Sequence, residues 1–341
     1  MAATLSDVAK RAGVSKKTAS RVINNEDTVA AATRRKVLAA IEELGYVPNE
    51  WAQRLASGNS RIVGYLIGDY LSPYSAHVLN GLLDVADAAG HHVSILRIDI
   101  DDPQQIERVI TMARLRRMEG IVLAPPCHSS PRLMGALQEM AFPFVQHSPS
   151  DRCSGCAWVS AADEQGSYDA AWHLLRLGHR RIGFIQGPVD LYVSRARLAG
   201  YKRALKEADI AVDESLIKPG DWGFESGLEY ARELLSLPEP PTAIMANNDV
   251  PAAGAIQAAW ERGVNCPGQL SVVGFDDVPL AKQIAPPLTT VRQPIYDIGA
   301  TMMSILIEEI IPGIKSNHAI EVPTELVIRH STGAVRNQQD A

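Results

Sequence analysis

The apolar positions of this chain change their period near residue 60. Before it, Leu5, Val8, Ala9 and Ala12 recur at helical spacing, and Thr4 followed by Asp7 has the form of a capping box. Gly13 ends that helix, Val14 reads as a buried turn residue, and Ser15 is placed to cap a second helix over Lys16–Asn24. Two short helices joined by a few residues that include a glycine predict a helix-turn-helix. A third helix is expected over roughly 31–45, with Val37, Leu38, Ile41 and Leu44 on one face. Its start, Val29-Ala30-Ala31-Ala32, lacks a polar cap, a loss that typically costs about 1 kcal/mol. Pro48 disfavours helix at Val47, and Asn49 is placed to cap a fourth short helix, Glu50–Ala56, ahead of a Ser57–Ser60 loop.

From Arg61 onward, apolar runs of strand length alternate with segments of helical period. The runs are Ile62–Ile67, Val93–Ile98, Gly120–Ala124, Phe142–Gln146, Ile182–Gln186, Ala243–Ala246 and Leu270–Phe275. This alternation predicts right-handed βαβ units and mainly parallel, doubly wound sheets. Seven or more strands suit two such sheets better than one. Open α/β sheets hold ligands beyond the carboxyl ends of their strands, so the residues after Ile67, Ala246 and Phe275 are candidates for a cleft.

A length of 341 residues leaves room for two or three domains, and 46% hydrophobic with 21% charged residues is the balance of a soluble globular chain. The segment Met1–Asp7 lacks the basic start and apolar run of a signal peptide. No apolar stretch approaches the roughly 18 residues of a membrane span, and four cysteines do not make a disulfide framework. The expected compartment is therefore the cytoplasm, with no membrane partner. The net charge of -6 hides an asymmetry, because residues 1–60 hold nine Lys/Arg against six Asp/Glu, a balance of +3. A small basic head on an acidic body fits a DNA-binding module joined to something else.

The run Thr4-Leu5-x-Asp7-Val8-Ala9-x-x-Ala12-Gly13-Val14-Ser15-x-x-Thr18-x-Ser20-Arg21-Val22-x-Asn24 resembles the signature of the lac/gal repressor family. The likeness continues through Pro48-Asn49, Leu177–Ile182, Arg195-x-Arg197-x-x-Gly200-Tyr201, Ala246–Asp249, Val273–Asp277 and Leu288–Pro294. It implies an all-α helix-turn-helix headpiece (1–46), a hinge helix and linker (47–60), and an α/β periplasmic-binding-protein-like core (61–341) working as a homodimer. The core would comprise two subdomains, about 61–160 plus 294–321 and about 161–293 plus 322–332, and the chain would bind double-stranded operator DNA.

In such a headpiece the recognition helix enters the major groove, which puts Lys16, Lys17 and, one turn on, Arg21 against base edges or phosphates. Thr4, Ser15, Thr18 and Ser20 belong to the same expected DNA-facing set. Relatives cap the third helix with Ser or Thr; without that cap here, Asn24, Thr33 and Arg34 are expected to carry more of the phosphate contact. The resemblance makes Leu55 the minor-groove wedge of the hinge, with Asn49, Ala52 and Arg54 beside it.

The resemblance also implies an effector site at Arg197, Asn248 and Asp276. Trp222 is an aromatic candidate to stack on the ligand, and Asp69, Tyr70 and Tyr74, which follow the first strand run, are candidates to close the other side. His147 stands where many relatives have an Asp and is either a cleft residue or a structural histidine. A guanidinium, an amide and a carboxylate suit a hydroxyl-rich ligand, so a sugar is the expected effector and a purine the alternative. Replacing Arg197 or Asp276 by alanine is expected to abolish the effector's influence while sparing DNA binding. A salt bridge between the two remains the plainer reading. Cys153-Ser154-Gly155-Cys156 alone is weak as a metal or redox site, and neither metal nor cofactor is expected. A solute-binding protein would lack residues 1–60, and no nucleophile elbow, phosphate loop or metalloprotease motif suggests an enzyme.

Overall fold

The computed structural model describes residues 3–23, 28–46, 60–68, 72–150, 155–311 and 317–335, and the chain divides into two compact units, Met1–Ser60 and Arg61–Ala341. In the first, helices α1 (Leu5–Ala12), α2 (Lys16–Ile23) and α3 (Ala31–Leu44) enclose a small core of Val8, Ala9, Ala19, Val22, Val37 and Ala40. The capping box forms: the Asp7 amide donates to the Thr4 hydroxyl, and the Asp7 carboxylate accepts from the Thr4 amide at 2.9 Å. Gly13 turns the chain at φ 64°, where a side chain would be strained. Ala30 starts α3 with no side-chain cap. An Arg11–Glu43 ion pair ties α1 to α3.

The second unit holds two six-stranded sheets. Strands β1 (Ile62–Ile67), β2 (His92–Arg97), β3 (Gly120–Leu123), β4 (Phe144–His147), β5 (Ala157–Ala161) and β11 (Ala319–Val322) form one, all parallel, in the order β11-β5-β4-β3-β1-β2. Helices α4 (Pro73–Ala88) and α12 (Ile295–Ile310) cover one face, with α5 (Pro103–Arg114) and α6 (Pro131–Glu139) on the other. The second sheet takes β6 (Ile182–Ile185), β7 (Ile217–Lys218), β8 (Ala243–Ala246), β9 (Ser271–Asp276), β10 (Thr289–Arg292) and β12 (Glu325–Val327). Its order is β12-β10-β9-β8-β6-β7, and only β12 runs antiparallel, against β10. Helices α7 (Asp163–Arg176) and α8 (Tyr192–Glu207) pack on one face, and α9 (Phe224–Leu234) and α10 (Asp249–Glu261) on the other. A short α11 (Leu280–Gln283) precedes β10.

The chain passes between the sheets after β5, after β10 and after β11. Close helix contacts fix the layers: a Cβ on Gly81 would lie 2.1 Å from the Tyr296 carbonyl oxygen, joining α4 to α12. One on Gly200 would lie 2.1 Å from the Glu164 carbonyl oxygen, joining α8 to α7. The strand that apolarity places at 142–146 is Phe144–His147, shifted because Phe142 and Pro143 belong to the approach. Strands β5, β7, β10, β11 and β12 go unanticipated; β7 and β12 have only two and three residues, and β11 is alternately exposed.

Candidate functional sites

A cavity of about 170 Å³ opens where the carboxyl ends of both sheets face each other. Each wall comes from residues at or just beyond the carboxyl end of a strand. Tyr65 and Ile67 lie in β1 and Gly68, Ser72, Tyr74 and Ser75 follow it; Ala124, Pro125 and Pro126 follow β3; His147 ends β4 and Ser148 follows it. Asp163 follows β5, Val193 and Arg197 lie on α8 after β6, and Asn248 follows β8. Asp276 ends β9, Gln293 follows β10, and Trp222 sits in the loop before α9.

Arg197 organises the floor. Its Nε donates to Asp163 Oδ1 at 2.8 Å, one terminal nitrogen to the Asn247 carbonyl at 2.5 Å, and the other lies 3.4 Å from Asp276 Oδ1. Its guanidinium also stacks 3.8 Å above the Phe275 ring. Two buried carboxylates thus share one cation, and burial pushes the Asp276 carboxyl up to about 7 against the opposing pull of Arg197. The salt bridge and the cleft position are both present, so neither reading of this pair excludes the other. Asp249, behind the floor, is bound by the Thr290 hydroxyl and the Val278 amide, and burial raises its carboxyl well above the ordinary range.

Trp222 adopts φ 68° and Asp276 φ 107°, left-handed conformations that side chains rarely take; such strain tends to gather at binding sites. The Trp222 indole N–H donates to Asn247 Oδ1 at 2.9 Å, which fixes the ring by its edge. Asn248 caps α10 through its side-chain Oδ1, accepting from the Val250 amide at 3.0 Å and keeping both side-chain amide hydrogens for other partners. Across the cleft, the Tyr74 hydroxyl lies 3.0 Å from His147 Nε2, and the two rings are parallel with centroids 5.7 Å apart. Burial drives the His147 imidazole down to about 3 and that of His128, behind it, to about 4, so both are neutral near pH 7.

The structure therefore brings together Tyr74, His147, Arg197, Trp222, Asn248 and Asp276 of the expected effector set, while Asp69 and Tyr70 lie outside the described residues. Asp163 and Gln293 were missed. Both follow strands (β5 and β10) that the apolar pattern did not reveal, so the rule of strand ends had nothing to act on.

In the headpiece, Lys16, Lys17 and Arg21 are exposed on α2, and Ser20 is half-buried. The Ser15 hydroxyl accepts from the Thr18 amide at 3.0 Å and lies 2.8 Å from the Thr18 hydroxyl, so this pair caps α2. Thr4 is engaged with Asp7, and Thr33 is half-buried in the first turn of α3. Asn24, Asn49, Ala52, Arg54 and Leu55 lie outside the described residues, as does Cys153.

Residues 4–49 match the family model of bacterial regulatory proteins of the lacI family, and residues 171–332 match that of a periplasmic binding protein-like domain. The HTH-type transcriptional regulator DegA of Bacillus subtilis is 37% identical over 335 residues, covering 97% of this chain and 98% of that one. This chain belongs to the lacI family. A lac repressor dimer solved bound to operator and the anti-inducer ONPF matches with a TM-score of 0.86 at 29% identity, over 98% of this chain and 100% of that one. A transcriptional regulator CelR–cellobiose complex matches with a TM-score of 0.73 at 30% identity, over 96% and 99%. As a lacI-family member the protein is a transcription regulator, with a DNA-binding helix-turn-helix and an effector-binding domain. Among the described residues no helix is long and apolar enough to cross a membrane.

Proposed function

We propose that this regulator is a homodimer whose operator affinity is set by a sugar or sugar-like polyol held in the cleft by Arg197, Asn248 and Asp276. The observation that carries the reading is the cavity floor: a carboxylate, an amide with two hydrogens to donate and a guanidinium, beside the edge-anchored ring of Trp222. Hydroxyl groups both donate and accept, so a polyol satisfies this mixed set. An aromatic face suits the apolar side of a pyranose. An anionic ligand fits less well, since Arg197 already serves Asp163 and Asp276. The operator contacts fall to Lys16, Lys17 and Arg21, with the hinge residues Asn49, Ala52, Arg54 and Leu55 reading the minor groove. The solved complexes of relatives with operator and with cellobiose support both halves.

A thermal-shift screen of the purified protein against neutral sugars, sugar phosphates and nucleobases tests the effector class. A ligand at 100 times its dissociation constant adds about 2.7 kcal/mol of stability. Stabilisation by neutral sugars, lost in Asn248→Ala, is the expected result. Stabilisation by nucleobases alone would overturn the sugar. Sedimentation velocity reads the oligomeric state.

A further inference from the structure

The cleft carries a hydrogen-bond chain that runs from one sheet's helices to the other's floor. Gln293, 4% exposed, stands just after β10 where the chain leaves the second sheet for α12. Its Nε2 donates to Asp276 Oδ1 at 2.6 Å, and its Oε1 accepts from the Tyr74 hydroxyl at 3.4 Å. Tyr74 in turn meets His147 Nε2 at 3.0 Å. His147 Nδ1 is buried with no partner among the described residues.

Proton counting gives the chain a direction. An ionised Asp276 only accepts, so Gln293 must present its NH2 there and turn its carbonyl to Tyr74. Tyr74 has a single proton; given to Gln293, it leaves the phenol oxygen to accept from His147, which must then carry its hydrogen on Nε2. A proton carried on Asp276 Oδ1 reverses every link. The acid donates to Gln293 Oε1, the turned amide donates to Tyr74, Tyr74 donates to His147 Nε2, and the histidine hydrogen moves to Nδ1. In either sense one buried histidine nitrogen lacks a partner, so neither arrangement holds an advantage there. The choice falls to the carboxyl.

We infer that Gln293, oriented by Tyr74, is a positioning residue that locks the ligand-facing carboxylate of Asp276 and couples its protonation to the Tyr74–His147 pair across the cleft. Geometry puts Arg197 and Asp163 from α8 and α7 against Asp276, Tyr74 from α4 beyond Gln293, and Asp249 of α10 behind; Asp277 next to it is paired with Arg292 and Arg329. With only one guanidinium for two carboxylates, the balance lies close enough to neutral pH for the chain to turn. If the cleft holds the effector as proposed above, a ligand hydroxyl donating to Asp276 favours the ionised form. Effector binding then releases a proton and tightens as pH rises through that midpoint.

The test needs no effector, so it fails or succeeds separately from the assignment of the cleft. Urea unfolding is measured at pH 5.5 and pH 8 for the full chain and for Gln293→Ala, each also in an Asp276→Asn background. The substitution is expected to lower the folding constant at least about tenfold more at pH 8 than at pH 5.5, because a hydrogen bond to a charged group is the stronger one. In the Asp276→Asn background the two pH values should give the same loss. An equal pH dependence in both backgrounds, or none in the native one, overturns the inference. Tyr74→Phe keeps the ring beside His147 and removes only the hydroxyl, so it carries the same test should Gln293→Ala fail to fold. Histidine-selective 15N labelling adds a direct readout, with the His147 signals identified by their loss in His147→Gln. The Nε2–H form is expected at pH 8, and an Nδ1–H form there would refute the direction of the chain.

Discussion

Replacing Arg197 by alanine is expected to destabilise the core strongly, not merely to silence the effector site. Sequence alone leads to an expected clean loss of response with DNA binding spared; burial adds an expected cost in stability. Arg197 is 6% exposed, bridges Asp163 and Asp276, holds the Asn247 carbonyl and stacks on Phe275. Its removal leaves two buried carboxylates without their cation. Breaking one buried pair by deleting a partner costs about 3–5 kcal/mol, a large part of the roughly 5–15 kcal/mol that holds a typical domain together. Urea unfolding at pH 8, followed by circular dichroism, measures the loss directly. Two controls separate charge from packing. The deficit should shrink as pH falls, since an orphaned carboxylate relieves the burden by taking a proton. Arg197→Ala combined with Asp276→Asn should recover part of it. A loss below about 1 kcal/mol, or one indifferent to both pH and the second substitution, would refute the account of Arg197 as the shared counter-ion.

Three further outcomes follow from particular contacts. His128 and His147 are held neutral down to about 4 and about 3, below the roughly 6.5 of an unfolded histidine, so their contribution is intact above that pH and lost as pH falls below it. Each should cost about 2 kcal/mol between pH 7 and pH 5, read as the pH-dependent difference in unfolding free energy between the protein and its His128→Asn or His147→Asn variant; a flat difference would rule this out. Gly200→Ala should destabilise by about 1–3 kcal/mol, because its Cβ would meet the Glu164 backbone at 2.1 Å; an unchanged midpoint in denaturant would show that α7 and α8 can separate freely. Lys17→Ala should change the preferred half-site base by about 1–3 kcal/mol in a selection on randomised operators; uniform weakening, with a salt slope lower by about 1, would make it a phosphate contact instead.

The headpiece helices and seven of the core strands were legible in the sequence because their cues are local. Thr4 with Asp7, Gly13 and Ser15 set the headpiece turns through contacts within a few residues, and the apolar runs at 62–67 and 243–246 are strands at those same limits. Arg197, Asn248 and Asp276 could be nominated because the family pattern, and for Asn248 and Asp276 the strand-end rule, mark them without coordinates, and Trp222 because an aromatic face suits a sugar ring. What remained hidden is what depends on distant partners. Gln293 follows a strand whose neighbours, β9 and β12, are brought to it only by the fold, and Asp163 becomes a site residue only because α7 and α8 pack together. His147, at the end of β4 and paired with Val159 of β5, also meets Tyr74 of α4, 73 positions away, only in the fold. Charge shows the same division. A sequence lists one arginine and two aspartates, but only the folded cleft makes them share a single counter-charge, because the low-polarity interior denies each carboxylate the water that would otherwise satisfy it.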